Sequence, residues 1–452
     1  MKKPTVYLLS LGCPKNLVDS ELILGKLKDK RFVIKDEPRD VDLAIINTCS
    51  FIKEAKEESI EEIMDLIELK KKGEIKKLAV VGCLPQRYMA ELKKELVEVD
   101  GFLGIEAWKN GLNDLVEHLV NTDSHRLKPQ IHTDKNLRES ALDDYLPRFR
   151  LTSPHYVYLK IAEGCDNFCS YCSISRIRGR LRSRPIEEIV KEAETLARSR
   201  FLREINLIGQ DTTLYGLDLY GQLRLLDLLQ KLDKIKSVDW IRVLYTHPGH
   251  FSEELIGFMA GSKKICRYID LPLQHISDKI LTKMGRKITR QRICELIKTL
   301  RDRINGVALR TAFIVGFPGE NEADFRELID FIQEIKFEHL GAFVYSREED
   351  TPAYSFPEQV PEKLKLERYH HLLEVQKEIS REILQGYLGK TLPVLIDEKL
   401  PEDNHTFLGR TEFEAPEVDG TVIIKDESLK TGMLLKARIT GTWEYDLLAE
   451  RV

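Results

Sequence analysis

Short apolar runs alternate with amphipathic stretches through the first third of the chain. Residues 6–10, 43–47 and 78–81 are brief and uniformly apolar, which predicts buried strands, and the stretches between them predict helices. This alternation predicts an α/β domain over residues 4–120, built on an open, mostly parallel sheet. Residues 121–150 are polar and weakly periodic and hold Pro129 and Pro147, the texture of a linker carrying a helix or hairpin of its own. Strand-like runs then resume at 156–161, 204–208, 241–245, 268–271, 312–315 and 341–345, alternating with helical stretches such as 185–199 and 291–301. Six βα repeats over 151–383 predict a partial (β/α)6 barrel, with chemistry at the carboxyl ends of its strands. A charged amphipathic helix over 361–385 leads to residues 384–452, where alternating runs at 392–396, 421–424 and 434–439 predict a small β-barrel.

Each of the first three strands runs out into a cysteine, as Leu11-Gly12-Cys13, Asn47-Thr48-Cys49 and Val81-Gly82-Cys83. The cysteines are 36 and 34 residues apart, about one βαβ unit. Parallel strands point the same way, so the three thiols should emerge on one edge of the sheet, where such folds bind ligands. Glycine before Cys13 and Cys83 leaves room for a sharp bend or a bulky ligand. The spacing predicts a second metal or cluster site, with unrelated buried thiols as the plain alternative.

The first site is the run Glu163-Gly164-Cys165-Asp166-Asn167-Phe168-Cys169-Ser170-Tyr171-Cys172, after the first barrel strand. Three thiolates on one loop suit three irons of a 4Fe-4S cluster, leaving the fourth iron open to a small ligand such as S-adenosylmethionine. Structural zinc normally takes four ligands in paired knuckles. The nearest other cysteines, Cys266 and Cys294, are about a hundred residues on, match no motif and read as buried thiols.

Length and charge narrow the class. A chain of 452 residues exceeds one ordinary core and implies about three domains. The net charge of -4 lacks the footprint of a general nucleic-acid binder. Met1-Lys2-Lys3-Pro4 leads straight into a strand with no signal-peptide core, and no run approaches eighteen apolar residues, so a cytoplasmic protein without membrane attachment is expected. Eight cysteines in such a compartment are expected as metal ligands or buried thiols rather than disulfides.

Beyond the six cysteines, the chain carries Leu271-Pro272-Leu273-Gln274-His275, Met284-Gly285-Arg286 and Ile314-Val315-Gly316-Phe317-Pro318-Gly319-Glu320. With these it resembles the radical-SAM methylthiotransferases along nearly its whole length. The resemblance implies an N-terminal methylthiotransferase domain (4–120), a linker (121–150), a radical-SAM domain (151–383) and a TRAM domain (384–452). It implies two 4Fe-4S clusters, one on Cys13, Cys49 and Cys83 and one on Cys165, Cys169 and Cys172, the latter binding S-adenosylmethionine near Tyr171, Gln210 and Gly316. It also implies sulfur insertion at an unactivated C–H bond, which needs no acid–base pair for hydrogen abstraction. Ser173-Ile174-Ser175 stands where the family commonly has Ile-Pro, a departure that leaves the cysteines untouched.

Within the family, Cys13-Pro14-Lys15-Asn16-Leu17-Val18-Asp19-Ser20-Glu21, Glu163-Gly164-Cys165-Asp166 and Gly209-Gln210-Asp211-Thr212-Thr213-Leu214-Tyr215-Gly216 are similar to one branch. That branch modifies the β-carbon of an aspartate in small-subunit ribosomal protein S-twelve. The implied partners are this protein or the small ribosomal subunit, an electron donor and a sulfur donor. The alternative is the tRNA adenosine branch, which shares both clusters. Residues 384–452 hold 13 acidic and 8 basic residues, a balance of -5 that suits a basic protein better than a polyanion.

Arg176, Arg178, Arg180, Arg182 and Arg184 alternate after the cysteine loop, which reads as a solvated strand face from which one or two side chains reach a ligand. His247 and His275 follow predicted strands and read as structural histidines rather than catalytic ones.

Overall fold

The computed structural model describes residues 3–452 apart from 30–31, 106, 110, 113–115, 117–146 and 404. The expected linker therefore falls almost wholly outside the described residues. The chain divides into two compact units: Met1–Leu151 with Glu163–Asp166 and Cys172–Leu181, and Thr152–Ala162 with Asn167–Tyr171 and Arg182–Val452.

In the first unit β1 (Thr5–Ser10), β2 (Val33–Ile34), β3 (Val41–Thr48), β4 (Ile75–Gly82) and β5 (Gly101–Leu103) form one sheet in the order β2-β1-β3-β4-β5. All four pairings are parallel. Ile46, Val80 and Leu78 pack with Ile63 and Leu66 of the helix Lys53–Lys71, a core that fixes the sheet's register through burial of one face. Because Ser10 pairs with Asn47, and Asn47 with Val81, the three strands end level.

In the second unit the parallel strands Tyr156–Lys160, Glu204–Ile208 and Trp240–Val243 form one ladder, and Tyr268–Asp270, Ala308–Val315 and His339–Val344 another. A parallel bridge between Ile241 and Ile265 links the two halves, giving six strands in chain order as a partial barrel. Val157, Leu159, Ile205 and Leu207 are fully buried, as expected of strands covered on both faces.

After the helix Glu362–Gln385, the strands Thr391–Lys399, Thr406–Arg410, Val422–Lys425, Leu434–Thr442 and Leu447–Arg451 close into a five-stranded barrel around Val394, Ile396, Ile424 and Ile439. The first part of its turn, 411–416, packs against the amino ends of the catalytic strands, with Thr411 and residues 413–416 buried, while Glu417 and Val418 are exposed. Arg410 binds Glu204 at 2.8 Å and Asp397 at 2.7 Å, while Arg242 binds the other oxygen of Glu204 at 2.8 Å. Arg267 grips Glu412, Tyr268 donates to Asp419 and Tyr156 to Glu417. Four of the module's thirteen acids, Asp397, Glu412, Glu417 and Asp419, thus face the catalytic strands or the segment leading into them, and Glu414 is buried in the turn. With Arg410 also turned inward, eight acids and seven bases remain, so the acidic balance of -5 is an internal property of the interface. It says little about which macromolecule meets the outer surface.

Candidate active site

Cys13 lies three residues beyond the end of β1, and Cys49 and Cys83 directly follow β3 and β4. Gly12 sits at φ +82°, and a Cβ there would come within 2.7 Å of Cys49 Cβ and 3.0 Å of its Sγ, so the first and second cysteines approach each other only across a bare glycine. The Cys13 carbonyl accepts from the backbone N–H groups of Asn16 and Leu17 at the start of the helix Pro14–Asp29, and Cys83 opens the helix Cys83–Glu95. Helix amino ends favour thiolates. The Cys49 backbone is held on both sides by the Ser59 hydroxyl, at 3.1 and 2.9 Å.

One amide joins the three loops. Asn16 Nδ2 donates to the carbonyls of Leu11 (2.9 Å) and Thr48 (2.8 Å), while its Oδ1 lies 3.7 Å from Cys83 Sγ and accepts from Arg178 at 2.7 Å. Arg178 is buried; its Nη2 also reaches Asp19 (3.1 Å) and Cys83 Sγ (3.7 Å), and its Nη1 donates to Glu163 at 2.6 Å. Burial opposes ionisation of Cys13, yet Lys15, Arg178 and two backbone N–H groups outweigh it and hold the thiol below its usual range. Burial pushes Cys49 up, assisted by Cys13, and Cys83 up to about 12. Three thiols that feel one another's charge, with two cations beside them, form a soft-donor cradle suited to an iron–sulfur cluster.

The second cysteine loop is pinned residue by residue. Cys165 N–H donates to the Gly179 carbonyl at 3.2 Å. Gly164 has φ +73°, and a Cβ there would strike the Arg180 carbonyl at 2.1 Å. Asp166 accepts from Arg180 Nε (2.6 Å) and Leu181 N–H (3.1 Å). In the second unit Asn167 donates to Asp211 at 2.7 Å, and Ser170 bonds the carbonyls of Met284 and Lys283. Arg286, fully desolvated, hydrogen-bonds the Cys169 thiol and faces Tyr171, and these partners hold its charge against burial. The Cys169 sulfur, like Cys83 of the first set, is thus faced by a buried guanidinium.

Tyr171 is half-buried against Ile280, Met284, Phe317 and Tyr345. Gln210 follows the strand Glu204–Ile208 and is half-buried. Gly316, at φ +75°, follows Ala308–Val315, and what lies against it is the buried Lys365 side chain, 2.2 Å from where a Cβ would be. Asp211, His247 and His250 bring ligand atoms within 4.8 Å of one another. However, Asp211 Oδ1 already accepts from Thr213 and Leu214, and its Oδ2 from Asn167. That trio is built to tie the cysteine loop to the next strand rather than to hold a cation.

His247 is buried, with Nδ1 accepting from the Gly249 N–H at 3.1 Å, and His275 Nδ1 accepts from the Ser277 N–H at 3.0 Å. The alternating arginines are not one solvated strand. Arg178 and Arg184 are buried in ion pairs, while Arg176, Arg180 and Arg182 are exposed, because the segment passes through a helical turn, Ile174–Ile177, before extending. Cys266 is buried as expected; Cys294 is only half-buried, since its helix Arg290–Arg303 turns that face partly to solvent. Asn16 stood in the Cys13-Pro14-Lys15-Asn16 run, Arg178 among the alternating arginines and Arg286 in Met284-Gly285-Arg286, but nothing in those patterns showed that each would lie against a cysteine sulfur.

A six-stranded parallel partial barrel bearing a three-cysteine loop after its first strand defines a radical-SAM protein. Residues 159–332 match the radical SAM superfamily, residues 5–104 the uncharacterized protein family UPF0004, and residues 388–452 the TRAM domain. The chain is 45% identical to the ribosomal protein uS12 methylthiotransferase RimO of Desulforamulus reducens, covering 99% of both chains. It is 44% identical to that of Heliobacterium modesticaldum, over 99% of this chain and 95% of the other. By this likeness over its full length, the chain belongs to the RimO family of radical-SAM methylthiotransferases. Among solved structures it shares the fold of the radical S-adenosylmethionine methyltransferase TsrM from Kitasatospora setae, with TM-score 0.56 and 16% identity over 78% of this chain and 74% of that one. Among the described residues, no helix is long and apolar enough to cross a membrane.

Proposed function

We propose that this enzyme adds a methylthio group to the β-carbon of an aspartate in ribosomal protein uS12, with Cys13, Cys49 and Cys83 holding one 4Fe-4S cluster and Cys165, Cys169 and Cys172 the other. The observation that carries it is the convergence of three cysteines at the carboxyl edge of the N-terminal sheet, in a chain whose full-length relatives are uS12 methylthiotransferases. When bound, the cluster on the second loop supplies the electron that cleaves S-adenosylmethionine.

The chain's own residues prepare that chemistry. Asn16 clasps the three strand-end loops so that the thiols face one space. Asp166 and Arg180 fold the Cys165 turn, and Asp211 anchors Asn167. Tyr171, Gln210 and Gly316 border the carboxyl ends of the catalytic strands, where S-adenosylmethionine is proposed to sit. A sulfur source, an electron donor and a cytoplasmic location complete the reading.

The test is mass spectrometry of products. Reconstituted protein should hold about eight irons. With reductant, sulfide and S-adenosylmethionine it should add about 46 Da to a uS12 aspartate peptide through the radical step. Replacing Cys165, Cys169 and Cys172 by Ala should remove about half the iron and all cleavage of S-adenosylmethionine. Replacing Cys13, Cys49 and Cys83 should leave 5'-deoxyadenosine formation and abolish the product. A gain of that mass by tRNA adenosine alone would overturn the substrate assignment.

A further inference from the structure

Arg178 lies six residues beyond Cys172, and its guanidinium connects two sets of atoms that the reaction must coordinate. On one side Nη2 lies 3.7 Å from Cys83 Sγ and is bonded to Asn16 and Asp19. On the other, Nη1 donates at 2.6 Å to Glu163, two residues before Cys165. Arg178 is 3% exposed and Glu163 also 3%, so water does not compete for either contact. A structural ion pair would need only the carboxylates. Besides Asp19 and Asn16, the second nitrogen also faces a sulfur, and hydrogen bonds to cluster sulfurs are among the terms that set an iron–sulfur potential, because they stabilise the more negative reduced state.

Resting on the cluster assignment above, we propose that Arg178 is a positioning residue for sulfur transfer: through Cys83 it raises the potential of the N-terminal cluster, and through Glu163 it holds that cluster in register with the Cys165 turn. A planar guanidinium is required because its fork spans the carboxylate and the sulfur at once. A lysine ammonium in the same place keeps the charge but reaches only one of them.

The experiment uses the full chain, reconstituted anaerobically. In a background with Cys165, Cys169 and Cys172 replaced by Ala, the remaining cluster is titrated by electron paramagnetic resonance, with and without Arg178→Lys. A background that loads no iron disproves the cluster assignment itself, separately from the role of Arg178. With the cluster present, Arg178→Lys should retain its iron and lower the midpoint potential by at least a tenfold change in the reduced-to-oxidised ratio, about 59 mV for one electron.

In the otherwise native chain, Arg178→Lys and, separately, Glu163→Gln should lower methylthiolated product per 5'-deoxyadenosine at least tenfold. Glu163→Gln, which leaves Arg178 beside Cys83, should leave the potential where it was. An unchanged potential in Arg178→Lys overturns the tuning role, and so does loss of the cluster's iron, which would make Arg178 a folding requirement. An unchanged product ratio in Glu163→Gln overturns the register role.

Discussion

Replacing Arg410 by Met tests whether the C-terminal barrel is held to the catalytic strands by one buried ion network. Arg410 is 2% exposed and Glu204 fully buried, and the guanidinium serves Glu204 at 2.8 Å and both oxygens of Asp397 at 2.7 and 3.0 Å. Met fills the stem of the arginine but leaves Asp397 with His155 alone and Glu204 with Arg242 alone. Removing one partner of a buried pair costs about 3–5 kcal/mol. The surviving partners place this case near 3 kcal/mol, and at roughly 1.5–2 °C per kcal/mol for a unit of this size the melting temperature should fall by about 5 °C in calorimetry.

The cycle with Asp397→Asn should be non-additive by more than about 1 kcal/mol, because both changes break the same contact. The pH dependence has a definite sign. Burial opposes charge on Glu204 and Asp397, but Arg410 and their other partners outweigh it and hold both carboxyls below their usual range. Their stabilisation is present above the unfolded carboxylate range of about 4 and is lost as pH falls through the depressed native values. The gap between native and Arg410→Met proteins should therefore be widest near neutrality and narrow in acid. Formation of 5'-deoxyadenosine at a permissive temperature should be unchanged, since the network lies at the amino ends of the strands. A fall in melting temperature under about 2 °C, or strict additivity in the cycle, would refute the reasoning.

Asn16→Ala should remove the donor to the Leu11 and Thr48 carbonyls and one acceptor of Arg178, costing about 1–3 kcal/mol and releasing iron from the N-terminal site before the radical site, as read by iron analysis during stepwise heating. Gly82→Ala should be worse than an ordinary glycine change, because φ is +100° and the new Cβ would lie 2.2 Å from Asn47 Oδ1; little folded protein at 37 °C is the expected result. Burial, helped by Arg286, holds His247 neutral with its pKa down to about 2. An unfolded histidine takes up a proton below about pH 6.5, so this residue should withdraw up to roughly 1.4 kcal/mol of stability per pH unit below that point, and His247→Gln should flatten the loss in denaturation measured from pH 6.5 to 4.

The architecture was legible because its main strands are uniformly apolar and regularly spaced. The level ends of β1, β3 and β4 follow from parallel pairing alone, which is why the N-terminal cysteines could be brought together without coordinates. What escaped was set by partners distant in sequence. Leu447–Arg451 is rich in helix formers, yet it is a strand because it closes a barrel against Leu434–Thr442. Thr406–Arg410 carries Gly409, which punctuates the apolar run; it is needed because a Cβ there would meet the Leu395 carbonyl at 2.6 Å. β2 has two residues and β5 three, too few to show a period. The inward turn of Arg178 and of the barrel's acids depends on carboxylates and cations far away in the chain, and alternating charge cannot reveal which side chains find them.

The clasp made by Asn16 bears on the order of assembly. A metal site whose ligands meet only when the ion arrives couples binding to folding, and the apo chain is then unfolded. Here the backbone of two cysteine loops is bridged by an amide that bonds carbonyls rather than metal, and the third loop's thiol lies against that same amide. The entropic cost of gathering the thiols is met during folding of the sheet, by hydrogen bonds to backbone carbonyls. On the cluster assignment proposed above, maturation becomes an insertion into a finished receptacle, and iron and sulfide would be delivered late and restored after loss without the chain having to fold again.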